Sequence, residues 1–123
     1  MKIPVSEHQI QTSIIHYLGY KGYYTQRMNS GAIRTEKGGL VRMNKAGTPD
    51  IMAFKMGTGV LYCHDMPDYD QHSYPNLKLL FIEVKRPGKK ATPLQLAMME
   101  ELTKYGARCI IATSVEDLEK LSI

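Results

Sequence analysis

A chain of 123 residues with 43% apolar content is long enough for one compact domain (residues 1–123) with a real core, and its two distant cysteines, Cys63 and Cys109, make no disulfide framework. No apolar run approaches the roughly 18 residues of a spanning helix, and MKIPVSEHQIQ lacks the apolar core of a signal peptide, so a reduced, cytoplasmic protein with no membrane partner is expected. The formal net charge of +4 points toward a polyanionic partner.

In chain order, SEHQ opens the first helix. Ser6 is the N-cap and Gln9 completes a capping box. Ile10, Ile14, Tyr17 and Leu18 then recur at helical spacing, and Gly19 and Gly22 bracket the end. YYTQRM reads as a short strand. NSGAIRTEKGGLVRMNKAGTP is glycine-dotted and basic without a sustained period, and reads as a long loop or irregular hairpin. DIMAFK is a strand after a Gly-Thr-Pro turn. GVLYCHD is a weaker strand candidate, and MPDYDQHSYPN reads as a loop.

LKLLFIEVK is long and apolar, the pattern of a central strand. In TPLQ, Thr92 caps the next helix, Pro93 takes its first position and Gln95 closes the box. Leu94, Met98, Leu102 and Tyr105 lie along one apolar face, with Gly106 as the stop. ARCIIAT is a further buried strand, and SVEDLEKLSI a short helix capped by Ser114. The expected order is α-β-β-β-α-β-α, an α/β fold with a central mixed sheet flanked by helices. Its β-α-β unit should be parallel.

Side chains alternate along a strand, so Glu83 and Lys85 share one face while Val84 turns inward with Ile82 and Leu80. Alone, that pair reads first as a surface ion pair at a strand end, worth about 0–1 kcal/mol. Asp50, at the start of the preceding strand, changes the balance. If the two strands pair, Asp50 and Glu83 converge, and two carboxylates brought close repel unless a cation sits between them. Mg²⁺ takes octahedral oxygen ligands at about 2.0–2.1 Å and prefers one or two carboxylates plus substrate phosphate. The Val84 carbonyl is a further oxygen, and Lys85 would stand beside metal-bound water.

PDI followed by EVK resembles the PD-(D/E)xK nuclease superfamily. The fuller pattern GTPDIMAF … LLFIEVKRPGKKATPLQ resembles its VRR-NUC branch, the virus-type replication-repair nucleases. The resemblance runs from the first helix to Tyr105. It implies a restriction-endonuclease-like core and a Mg²⁺- or Mn²⁺-dependent endodeoxyribonuclease. Asp50 and Glu83 match the metal carboxylates and Lys85 the catalytic lysine. Glu7 matches a glutamate of the first helix, and Gln95 a glutamine after the lysine strand. Stand-alone members are similar to Holliday-junction resolvases, which implies a homodimer nicking branched or four-way DNA, and a phage or prophage source. The stretch between Asp50 and Glu83 is longer than the plain pattern, with YCHDMPDYDQHSYPN inserted.

Glu7 and Gln95 also have plainer readings, as a first-turn acid favoured by the helix dipole and as a capping residue. Two basic stretches, Arg27 to Lys45 and Lys85 to Lys90, flank the acidic positions. Arg27, Asn29, Ser30, Arg34, Arg42, Lys45, Arg86, Lys89 and Lys90 are the candidate DNA-backbone contacts; ordinary solvated turns are the alternative. Cys63, His64, Asp65 and His72 lack structural zinc spacing. His8 and His16 are too far apart to chelate one ion, the glycines form no P-loop, and the methionines read as packing. A non-catalytic DNA-binding module, a nuclease with flap or nonspecific preference, and a hydrolase of another anion remain the competing readings.

Overall fold

The computed structural model describes residues 3–28, 32–42, 44–62 and 71–123. The elements are α1 (Glu7–Tyr20), β1 (Tyr24–Arg27), β2 (Ala32–Arg34), β3 (Leu40–Arg42), β4 (Ile51–Tyr62), β5 (Gln71–Val84), α2 (Pro93–Lys104), β6 (Arg108–Ala112) and α3 (Val115–Lys120). Four strands form one mixed sheet in the order β1-β4-β5-β6, and β2 and β3 make a separate hairpin. β4 is antiparallel to both β1 and β5, whereas β5 and β6 are parallel across α2. The fold is therefore α/β with a mixed sheet and three helices. None of the described helices is long and apolar enough to cross a membrane.

Helix α1 starts where its capping box dictates. The Ser6 hydroxyl accepts from the Gln9 N–H at 3.1 Å, and the Ser6 N–H donates to Gln9 Oε1 at 2.8 Å. Ile10, Ile14 and Leu18 form its buried stripe. They pack on Ile51 and Ala53 of β4, on Leu80, Ile82 and Val84 of β5, and on Ile110 and Ala112 of β6, with Leu118 of α3 closing the cluster. This face of the sheet carries α1 and α3. Phe81 and Glu83, the intervening residues of β5, face α2 on the other side.

Two expectations need correction. DIMAFK does not end at Lys55: β4 runs on to Tyr62 and β5 begins at Gln71, so the part of MPDYDQHSYPN from Gln71 to Asn76 is strand. Residues 63–70 lie outside the described residues. Of the two readings of NSGAIRTEKGGLVRMNKAGTP, the hairpin is the one found: Ala32 pairs with Arg42 and Arg34 with Leu40. On α2, Leu94 and Tyr105 are exposed, while the inward side is formed by Met98, Met99 and Leu102. Leu94 sits in the first turn, against Gly47, and Tyr105 is already the C-cap.

The turn before β4 is built against α2. Thr48 donates its N–H and its hydroxyl to the Lys45 carbonyl, at 3.2 and 2.6 Å. Gly47 adopts φ +87°, and a Cβ there would stand 2.8 Å from the Leu94 carbonyl oxygen. Only glycine satisfies both the left-handed backbone and that close approach. Pro49 is then fully buried and delivers Asp50 to the start of β4. Gly47→Ala is expected to cost about 1–3 kcal/mol from backbone strain and collision together. Chemical denaturation measures this; a loss below about 0.5 kcal/mol would show that the turn relaxes freely.

Candidate active site

The register of β4 and β5 pairs Ile51 with Ile82. One step further places Asp50 across from Glu83, on the α2 side of the sheet. Asp50 is held at both ends. Its Oδ2 accepts the Val84 N–H at 2.8 Å, and its carbonyl accepts the Met28 N–H at 2.7 Å. The acid is thus fixed between β1 and β5 by backbone groups alone.

Glu83 is only 2% exposed, an unusual position for an acid. Its Oε1 accepts from Gln95 Nε2 at 2.9 Å and lies 3.5 Å from Lys85 Nζ. Its Oε2 is buried with no partner. The two carboxyl groups of Asp50 and Glu83 are within hydrogen-bonding reach of each other. Burial first, and the Asp50 charge second, push the Glu83 carboxyl up to about 7, against the opposing pull of Lys85. Burial also raises Asp50, offset in part by the Val84 N–H.

Gln95 performs both tasks its sequence position allowed. Its Oε1 accepts the Thr92 N–H at 2.8 Å and its own N–H donates to Thr92 Oγ1 at 3.2 Å, closing the capping box. The remaining amide N–H reaches Glu83. Val84 contributes its carbonyl by peptide geometry. The Lys85 N–H donates to the Ala112 carbonyl at 3.0 Å, on the β6 side. The trans peptide therefore turns the Val84 carbonyl the other way, toward the side of Asp50.

Glu7, at the start of α1, reaches the pair through its charge, which raises Asp50 further. Among the described residues no three His, Cys, Asp or Glu side chains cluster closely enough to hold one ion. Asp50 and Glu83 are therefore a pair, with Glu7 at longer range. The donor set suits a hard cation: all oxygen, two carboxylates in contact, and one buried lone-pair oxygen without a donor.

Arg27 lies on β1 opposite Ile51, one step from Asp50, and its guanidinium is engaged with α1. Nη2 donates to Thr12 Oγ1 at 2.8 Å. Nη1 is 3.1 Å from both ring nitrogens of His8. Equal approach to both nitrogens puts it over the imidazole face, since in the ring plane it would collide with Cε1. Arg27 Nε is buried without a partner. This clamp on the first turns of α1, beside Glu7, was not readable from sequence; only the proximity of β1 to α1 in the chain hinted at it.

Of the other candidate DNA contacts, Arg34, Lys45, Lys89 and Lys90 are exposed and Arg86 is half-buried. Arg86 to Lys89 form a turn with Gly88 at φ +85°, closed by Lys89 N–H to the Arg86 carbonyl at 3.0 Å. Arg86 and Lys89 border a shallow pocket with Pro4 and Val5, on the Glu7 side of the site. Arg42 is on β3, and its side chain lies outside the described residues, as do Asn29, Ser30, Cys63, His64 and Asp65.

The raised Glu83 pKa fixes a pH signature for the metal-free protein. Below about 4.5 the group is protonated whether folded or unfolded; above about 7 it is ionised in both, and the folded state carries the burial cost. Stability in EDTA should therefore fall as pH rises from 4.5 through 7, by up to about 3 kcal/mol from this group. Glu83→Gln should remove most of that slope in thermal melts at pH 5 and pH 8. An unchanged slope would show that another group titrates.

Compared with models of known protein families, with characterised proteins and with solved structures, the chain matches none.

Proposed function

We propose that this chain is a Mg²⁺- or Mn²⁺-dependent endodeoxyribonuclease on a restriction-endonuclease-like core. The observation that carries the reading is the contact of a buried carboxyl group, Glu83, with a half-buried one, Asp50, with Lys85 and Gln95 both on Glu83 Oε1 and Oε2 left without a donor. A structural ion pair does not need the second acid, and a capping glutamine does not need to reach Glu83. The mixed sheet, with α1 and α3 on one face and α2 on the other, is compatible with such a core.

Asp50, Glu83 and the Val84 carbonyl would hold the ion, with Glu7 assisting at longer range. A bound Mg²⁺ would supply charge neutralisation at the phosphate and lower the pKa of its water. Lys85, only 12% exposed on its side chain, stands where an attacking water or a phosphate oxygen would lie beside Glu83. Its ammonium orients that water or offsets charge growing on the phosphate. Gln95 fixes the Glu83 carboxylate, and the Val84 N–H fixes Asp50. The exposed Arg34, Lys45, Lys89 and Lys90, with Arg86, supply sequence-independent contact to the DNA backbone.

The finer reading is a homodimeric, Holliday-junction resolvase-like nickase. Twofold symmetry would match two sites to two strands.

Glu83→Ala should abolish Mg²⁺-dependent cleavage while leaving DNA affinity within a few-fold of wild type. Lys85→Met should lower the rate by roughly 10²–10⁴. Cutting by Glu83→Ala at the wild-type rate would end the assignment. A four-way junction should be nicked faster than a matched linear duplex of the same sequence; equal rates would remove the resolvase reading and leave the nuclease one.

A further inference from the structure

Two strands leave the body of the sheet together. β1 accompanies β4 only as far as Phe54, and β6 meets β5 no further out than Leu80. Beyond those points β4 and β5 stay paired without a break in register, from Met56 opposite Leu77 to Tyr62 opposite Gln71. The result is a two-stranded ribbon roughly 20 Å long. Among the described residues no third strand pairs with it. A lone two-stranded ribbon is marginal in water, and stability usually requires a third strand or a covering element.

The composition of this ribbon is unlike the rest of the chain. Residues 56–62 and 71–77 contain no Asp, Glu, Lys or Arg, in a protein that is 23% charged. Free sheet edges are normally protected from pairing by charge or proline. A ribbon meant for a nucleic-acid groove would carry cations for the phosphates. Met56 and Leu77, a cross-strand pair at its base, are 62% and 53% exposed.

Its two edges differ. The Met28 N–H meets the Asp50 carbonyl, so even-numbered residues of β4 direct their backbone groups away from β5. Unbroken register carries that phase to Met56, Thr58, Val60 and Tyr62. Each of them turns an N–H and a carbonyl to the open side, and none is proline. On β5 the Lys85 N–H points to β6, so odd-numbered residues face outward there. Pro75 falls in that outward row and has no N–H to offer. One edge is guarded; the other is not.

We propose that the open edge of β4, Met56–Tyr62, is a self-association surface that pairs antiparallel with the same edge of a second copy. A strand paired with itself about a twofold axis is self-complementary, each donor meeting the partner's acceptor. Two marginal ribbons thereby become one four-stranded sheet. The occupant is a second copy because the edge is uncharged and each chain brings the same unmet requirement. This gives the homodimer of the preceding section its surface, but it rests on the ribbon and not on nuclease chemistry.

Light scattering coupled to size exclusion, without DNA or metal, tests it. The wild type should run at twice 13.9 kDa and dissociate on dilution. Thr58→Pro deletes an outward N–H and leaves the β4–β5 ladder intact, so it should run at monomer mass with a wild-type circular dichroism spectrum. Val60→Lys, which restores edge charge, should weaken association at least tenfold and decides the matter if the proline variant misfolds. A wild type that stays monomeric at high concentration, or folded variants that remain dimeric, would overturn the proposal. Glu83→Ala should dimerise as the wild type does, which separates this result from the fate of the nuclease reading.

Discussion

A buried acid held against a half-buried one sets the terms for the rest of this molecule. Water would separate Asp50 and Glu83; the ends of β4 and β5 instead hold them face to face, where both cannot ionise without compensation. The compensation is visible and incomplete. A backbone N–H serves Asp50, an amide and an ammonium share one oxygen of Glu83, and the other oxygen has nothing. A protein selected only for stability has simpler options at that position, since an apolar residue of similar volume avoids the desolvation cost.

The supports of this pair come from elements that contribute no chemistry of their own. β1 holds the Asp50 carbonyl through Met28 and, through Arg27, grips the first turns of α1 that carry Glu7. The Lys45–Thr48 turn fits under α2 because Gly47 has no Cβ. α3 and β6 are tied by Asp117, whose carboxylate accepts from the Thr113 N–H and hydroxyl and is held below its usual acidity range by those bonds. The acids thus sit on strand ends and helix starts anchored by neighbouring backbone, and that placement gives precision to a polar cluster.

Local rules made much of this legible. Capping boxes at Ser6–Gln9 and Thr92–Gln95 marked two helix starts, and strand alternation put Glu83 and Lys85 on one face with Val84 behind them. Asp50 and Glu83 converge because their strands are neighbours, which the sequence could state only as a condition. The outer ribbon was legible only in part: GVLYCHD stood as a weaker strand candidate, but MPDYDQHSYPN read as a loop, and only the cross-strand register shows that Gln71 to Asn76 are paired. The exposure of Leu94 and Tyr105 was missed for a related reason. Periodicity names a stripe, but the length of sheet beneath a helix decides how much of it is covered. Arg27 read as one more cation of a basic stretch, whereas its backbone position on β1 turns it onto α1.

The shared use of Gln95 has a consequence for how such chains diverge. The position that closes the capping box accepts glutamate as readily as glutamine, because only the carbonyl-like oxygen is used there. The amide nitrogen is what Glu83 receives. A drift from amide to acid would leave the helix start undisturbed and exchange a donor for a negative charge at the carboxylate pair. The helix cap would not register the change, while repulsion at the carboxylate pair would grow, so the electrostatics of the site can shift without any loss of the helix start.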